Sequence, residues 1–175
     1  WTIIPYVSVY LLVGLGIWLL PDRTAMRRYF LATVFAFSMT YVFFALWPTR
    51  MDRAPFPESS MWSWALRLTR EIDQPNTCFP SLHITNCALA VVAAWPTRWR
   101  WWFLAWSFVV AASTLTTDQH YFLDIPSGAA TGLMGVALAR GVLGRMEDRA
   151  VAPRRPAVEN VLLERKPDGY NDRQP

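Results

Sequence analysis

Apolar residues along this chain gather into long blocks instead of recurring on one face of a surface helix. The blocks run WTIIPYVSVYLLVGLGIWLL from Trp1, YFLATVFAFSMTYVFFALW from Tyr29, SLHITNCALAVVAAW from Ser81, WWFLAWSFVVAASTLTT from Trp101 and FLDIPSGAATGLMGVALARGVL from Phe122. Proline closes each of the first three, and Arg145 follows just past the fifth. A helix needs about 20 apolar residues to cross roughly 30 Å of hydrocarbon, so the pattern predicts an all-α, integral-membrane helical bundle with five visible transmembrane helices. The third block offers fifteen residues before Pro96, so its outer end should lie below the membrane surface.

Between the second and third blocks, the connector from Pro48 to Phe79 contains ESSMWSWALRLTREID. On a helix its Met61, Trp64, Ala65, Leu68 and Ile72 share one face, and Arg67, Arg70, Glu71 and Asp73 lie mainly elsewhere. That is the pattern of a helix lying in the membrane interface. From Gly144 the chain turns charged and proline-bearing, with little apolar content apart from VLL at 161–163. We therefore read a membrane domain over 1–143 and a charged tail or linker over 144–175.

Hydrophobic residues make up 53% of the 175 positions, and the ten tryptophans sit mostly at block ends, where amphipathic rings anchor at the water boundary. The loop PDRTAMRR holds three arginines, PTRWR holds two, and the segment from Arg140 onward holds eight of the seventeen Lys and Arg. Alternation puts all of these on one side, and only Arg50, Arg53, Arg67 and Arg70 on the other. The positive-inside rule makes the first side cytoplasmic, so the tail is cytoplasmic and the STLTTDQHYFLD turn faces outward. Cys78 and Cys87 straddle a helix start with no evident reason to meet, and we read both as free thiols. Trp1 opens directly on an apolar run, which reads as a segment of a longer chain.

Both histidines of the chain, His83 and His120, fall on that outer side. In CFPSLHITN, Pro80 and Ser81 look like a helix start, whose backbone donors and dipole suit an anion. His120 and Asp124 are spaced i, i+4, so on a helix the carboxylate can accept the proton of one imidazole nitrogen and leave the other as a free lone pair. That is what a nucleophile needs. Taken alone, the pair is read more readily as a buried histidine with a structural partner. The second histidine, the nearby Ser81 and the outward arginines point to catalysis.

Together, CFPSLH and STLTTDQHYFLD resemble the second and third signature motifs of the type 2 phosphatidic acid phosphatase superfamily, which includes lipid phosphate phosphatases and inositol phosphorylceramide synthases. Motif order, spacing and span placement agree over most of the chain. The resemblance implies a fold of six membrane helices, the first of which would precede Trp1. By position it implies His120 as the nucleophile that forms a phosphohistidine, Asp124 as its orienting carboxylate and His83 as the acid that protonates the leaving oxygen. Ser81 would hydrogen-bond the phosphate. Ser113 and Thr114 stand where the phosphatases usually have Ser-Arg, and Leu82 where they usually have glycine; both departures resemble the inositol phosphorylceramide synthase branch. The lysine-bearing first motif is absent, since the only lysine is Lys166, and WPTRMDRAP offers Arg53 and Arg50 as phosphate ligands instead.

The resemblance implies no metal and no other cofactor, a lipid substrate and the bilayer as partners, and no nucleic acid. A phosphate monoester carries about −1.5 to −2 at neutral pH and a diester carries one charge, so a site with fewer cations suits an intact phospholipid and head-group transfer. Three other classes stay open on the residues alone: a haem held by His83 and His120, a zinc site from the same histidines, and a polar cluster that only fastens helices together.

Overall fold

The computed structural model describes residues 1–55, 61–73, 75 and 77–151, with side chains as far as Met146. Regular structure among these residues is entirely helical: α1 (Ile3–Val7), α2 (Val9–Trp18), α3 (Arg23–Leu46), α4 (Ser63–Ile72), α5 (Leu82–Ala94), α6 (Arg100–Thr116) and α7 (Asp124–Val151). Ser8, itself in helical conformation, joins α1 to α2. The chain divides into two units, Trp1–Leu143 and Gly144–Pro175. Of the second, residues 144–151 are described and are helical; the remainder of the expected tail, 152–175, lies outside the described residues.

Each of the five apolar blocks is helical. Among the described residues only α3, with 24 residues, is both long and apolar enough to cross a membrane by itself; Ile3–Trp18 and α5 are apolar but shorter. For α5 the difference from the five-span expectation arises at the helix ends. Ser81 is left outside α5 as its N-cap, accepting from the Ile84 amide, and Trp95 closes it, so the fifteen-residue block yields thirteen helical residues. The connector helix likewise starts at Ser63, and residues 58–60 of its expected start lie outside the described residues.

In α3 and α7 small residues face in and large apolar ones face out. Along α3 the buried positions are Ala32, Ala36 and Thr40, one per turn, while Phe30, Val34, Tyr41, Val42 and Leu46 are exposed. α7 approaches its neighbours through Gly128, Gly132 and Gly135. A methyl on Gly132 would sit 2.8 Å from the Ala88 Cβ, and one on Gly135 would sit 2.5 Å from the Ala32 carbonyl oxygen. Close backbone approach through small residues is how helices associate where burying apolar surface brings no gain. At the centre lies α5, with His83, Ile84, Thr85, Cys87, Leu89, Ala90, Ala93 and Ala94 buried. The Thr85 hydroxyl lies within hydrogen-bond reach of two carbonyls, Ser81 at 2.9 Å and Gly128 at 3.0 Å, which ties α5 to α7 one turn below the site.

The apolar face expected for the connector helix is exposed: Met61, Trp64, Leu68 and Ile72 all point away from the bundle, whereas Ser63 and Thr69 are buried. Arg70 turns inward, donating to the Ala54 carbonyl at 2.7 Å and meeting Asp118 at 3.4 Å. Burial lowers its pKa, and Asp118 opposes that shift.

Candidate active site

Two helix starts and one turn bring the polar residues together. α6 ends at Thr117, and Asp118 takes a left-handed conformation, φ 53°, that reverses the chain. The Thr114 carbonyl then accepts from the amides of Gln119 (3.0 Å) and His120 (3.3 Å), which fixes the next two residues. Asp124 opens α7, and its Oδ2 reaches back to the Tyr121 amide at 2.8 Å and to His120 Nδ1 at 3.3 Å. The sequence spacing led to an expectation that His120 and Asp124 share a helical face. The structure corrects this: His120 precedes the helix, and the turn makes the pair.

His120 Nδ1 also lies 2.9 Å from the Cys78 carbonyl oxygen. Both neighbours of Nδ1 are acceptors, so the proton belongs there and Nε2 is left with its lone pair. Cys78 itself is a buried free thiol, as is Cys87. Burial and the Asp124 charge raise the Cys78 thiol above its ordinary pKa.

His83 is the second residue of α5, and its ring lies 5.8 Å from that of His120, edge to face. Tyr6 from α1 stacks on its other side at 4.3 Å. Both histidines border a cavity of about 360 Å³ whose lining includes the polar Arg53, Asp73, Asn86 and Gln119 and the apolar Val9, Val13, Phe37 and Phe44. Three nitrogens of lining residues are buried with no hydrogen-bond partner among the described residues: His83 Nε2, Arg53 Nε and Gln119 Nε2. Orphaned buried polar atoms are costly, and three of them belong to one cavity lining.

The expected phosphate ligands separate into two groups. Arg53 lines the cavity, donating to the carbonyls of Arg70 (3.0 Å) and Asp73 (2.6 Å) and to Gln119 Oε1 (2.6 Å). Arg50 is exposed and does not line it. Ser81, Ser113 and Thr114 are buried and likewise off the lining; their hydroxyls engage the Ile84 amide and the carbonyls of Val110 and Ala111. Their visible work is to cap α5 and shape the end of α6. No group of three or more His, Cys, Asp or Glu gathers as metal ligands would among the described residues.

Asp73, Tyr6 and Gln119 were not singled out from the sequence. Gln119 sits inside the motif beside His120 and was within reach of that reading. Asp73 ends α4 and Tyr6 lies in an apolar block, so their hydrogen bond, Tyr6 OH to Asp73 Oδ2 at 2.5 Å, joins residues 67 positions apart without a local signal.

A family model described as the PAP2 superfamily matches residues 3–138, which takes in both histidines, Asp124 and the whole cavity. The chain belongs to the PAP2 superfamily. Membership supports a phosphatase-type activity in general. No curated protein and no solved structure matches the chain. Within the superfamily, the resemblance of CFPSLH and STLTTDQHYFLD to its second and third motifs now has a spatial counterpart, since both stretches border one cavity.

Proposed function

We propose that this PAP2 superfamily member is a membrane-embedded lipid phosphohydrolase or phosphotransferase that works without metal through a phosphohistidine on His120. The carrying observation is that the rings of His83 and His120 lie 5.8 Å apart on one cavity, with the His120 Nδ1 proton engaged by Asp124 and Cys78. In the first step the Nε2 lone pair of His120 attacks phosphorus, the bond to the leaving oxygen breaks, and that oxygen takes a proton from His83. In the second, water or a lipid hydroxyl attacks the phosphohistidine, gives its proton to His83, and restores free His120. Arg53 and Gln119 hold the phosphoryl oxygens, supplying by fixed donors what a metal supplies elsewhere.

A lipid substrate is supported by the apolar residues of the cavity lining, Val9, Val13, Phe37 and Phe44. Membrane embedding is supported by the inverted exterior, on which Phe30, Tyr41, Leu46, Phe108 and Leu133 are all exposed. Exposed tryptophans cluster at helix ends, Trp1, Trp47 and Trp64 near the site and Trp18, Trp95, Trp99 and Trp101 at the other end, as two aromatic belts would. The arginine distribution then puts the site on the extracytoplasmic side and the tail over 144–175 in the cytoplasm.

Of the two activities, head-group transfer of the inositol phosphorylceramide synthase type is favoured by the cation count. One arginine, Arg53, lines the cavity and Arg50 does not, which suits the single charge of a phosphodiester. The test is to give purified protein in detergent radiolabelled phosphatidic acid and, separately, phosphatidylinositol with ceramide, and to identify products and acid-labile label on His120. Label on histidine with transferred head group is the expected result. Phosphate release from phosphatidic acid without transfer would leave a phosphatase, and turnover undiminished in His120→Ala would overturn the phosphohistidine.

A further inference from the structure

The cavity lining holds a carboxylate where a phosphate-binding site would ordinarily avoid one. Asp73 closes α4 and is held at both ends: its carbonyl accepts from Arg53 and its Oδ2 accepts from Tyr6. It lines the same cavity as His83, His120 and Arg53. Its Oδ1 receives no donor among the described residues. A carboxylate only accepts, so the one kind of substrate group that satisfies this oxygen is a donor such as a hydroxyl.

The charges on the lining fix what kind of phosphate can approach. Arg53 contributes one positive charge and Asp73 one negative, and among the described residues no other lining residue is charged apart from a protonated histidine. With the proton that His83 needs as an acid, the lining carries one net positive charge, and a phosphodiester neutralises it. A phosphate monoester brings up to one further negative charge. Nothing on the lining compensates that charge, and Asp73 repels it.

We propose that Asp73, locked by Tyr6 and Arg53, is the specificity-determining residue of this site: it receives a hydroxyl of the substrate and excludes phosphate monoesters, so that the site takes a phosphodiester with a hydroxyl-bearing partner. This rests on the phosphate-binding reading of the cavity given above and narrows its substrate class.

Binding of two soluble probes tests the idea without requiring turnover. Glycerol 3-phosphate is a monoester, and glycerophosphoinositol is a diester with a polyhydroxylated head group. Titrated into the detergent-solubilised protein at pH 7.5, the diester should bind more tightly by about tenfold or more, the scale of one extra unit charge near a carboxylate at an effective dielectric near 20. Asp73→Asn keeps the size of the side chain and its acceptor toward Tyr6 but removes the charge. It should bring the ratio near one, chiefly by tightening glycerol 3-phosphate. A ratio unchanged by Asp73→Asn, or equal weakening of both probes, overturns the proposal. Asp73→Ser is read by the same criterion if the asparagine variant does not fold. Failure of both probes to bind the wild-type protein would overturn the phosphate-site reading itself, which separates the two failures.

Discussion

Gly128 is the point at which a single methyl group should separate the two halves of the site. A Cβ there would fall inside contact distance of the Ser81 carbonyl oxygen, and it would also meet Ile84 Cβ at 3.1 Å and Ser81 Cβ at 3.2 Å. All three neighbours are backbone or the first atom of a side chain, so none can swing aside, and in Gly128→Ala the start of α7 must move off α5 by on the order of 1 Å. That start carries Asp124, and the hydrogen bonds at risk are Ser81 N–H to the Asp124 carbonyl (3.2 Å) and the Thr85 hydroxyl to the Gly128 carbonyl (3.0 Å). Overpacking of this kind costs about 1–3 kcal/mol. A misplacement of about 1 Å between reacting groups can cost about a hundredfold in rate. Turnover and thermal unfolding should be measured together in detergent, with Gly14→Ala and Gly141→Ala as controls, since nothing lies within 4 Å of a methyl at either. The controls should keep activity and gain slightly in stability from the added helix propensity. Gly128→Ala with wild-type turnover and unfolding temperature would refute the close approach of α7 to α5.

Asp124→Asn should leave the protein folded and lower turnover by about a hundred- to a thousandfold, less than the roughly 10⁴-fold known for loss of an orienting aspartate, because the Cys78 carbonyl still accepts from Nδ1 at 2.9 Å; gel filtration and steady-state rates check both halves. Asp118→Val should destabilise by about 1–2 kcal/mol through its left-handed φ of 53°. Asp118→Gly is free of that strain and should lose only the part-buried pair with Arg70, so it should unfold at higher denaturant than Asp118→Val, and melts of the two variants distinguish backbone strain from charge. Cys78 should alkylate slowly at neutral pH: its thiol lies above the ordinary value, the thiolate is the reactive form, and the rate should climb only when pH rises past that of a free cysteine control.

The polar residues that close the site differ from one another in how far their partners lie along the chain, and that decided what could be read in advance. His120, Asp124 and Gln119 fall within six residues, so their association was legible from spacing alone, although the turn that makes it was mistaken for a helix. His83 was placed beside them by its position at a helix start. Arg53 was legible only as a cation on the correct side, because its partners Arg70, Asp73 and Gln119 are 17, 20 and 66 positions away. Tyr6 and Asp73 were not legible at all. The helices were visible as apolar blocks, yet the blocks missed their ends: α5 is shorter by its Ser81 cap and closing Trp95, whereas α3 and α7 run past their blocks into arginine-bearing flanks. The glycines of α7 stood in plain view as Gly128 and Gly132, four apart, without any sign of which helix they approach.

Arg53 takes hold of its surroundings chiefly through main-chain oxygens, those of residues 70 and 73. A carbonyl is offered by every amino acid, so this clamp recognises the path of the connector and is indifferent to its spelling. The stretch 54–72 is therefore free to diversify while the guanidinium stays where it is, provided that insertions and deletions do not shift those two oxygens. Homologous chains should vary in this connector by substitution far more than by length.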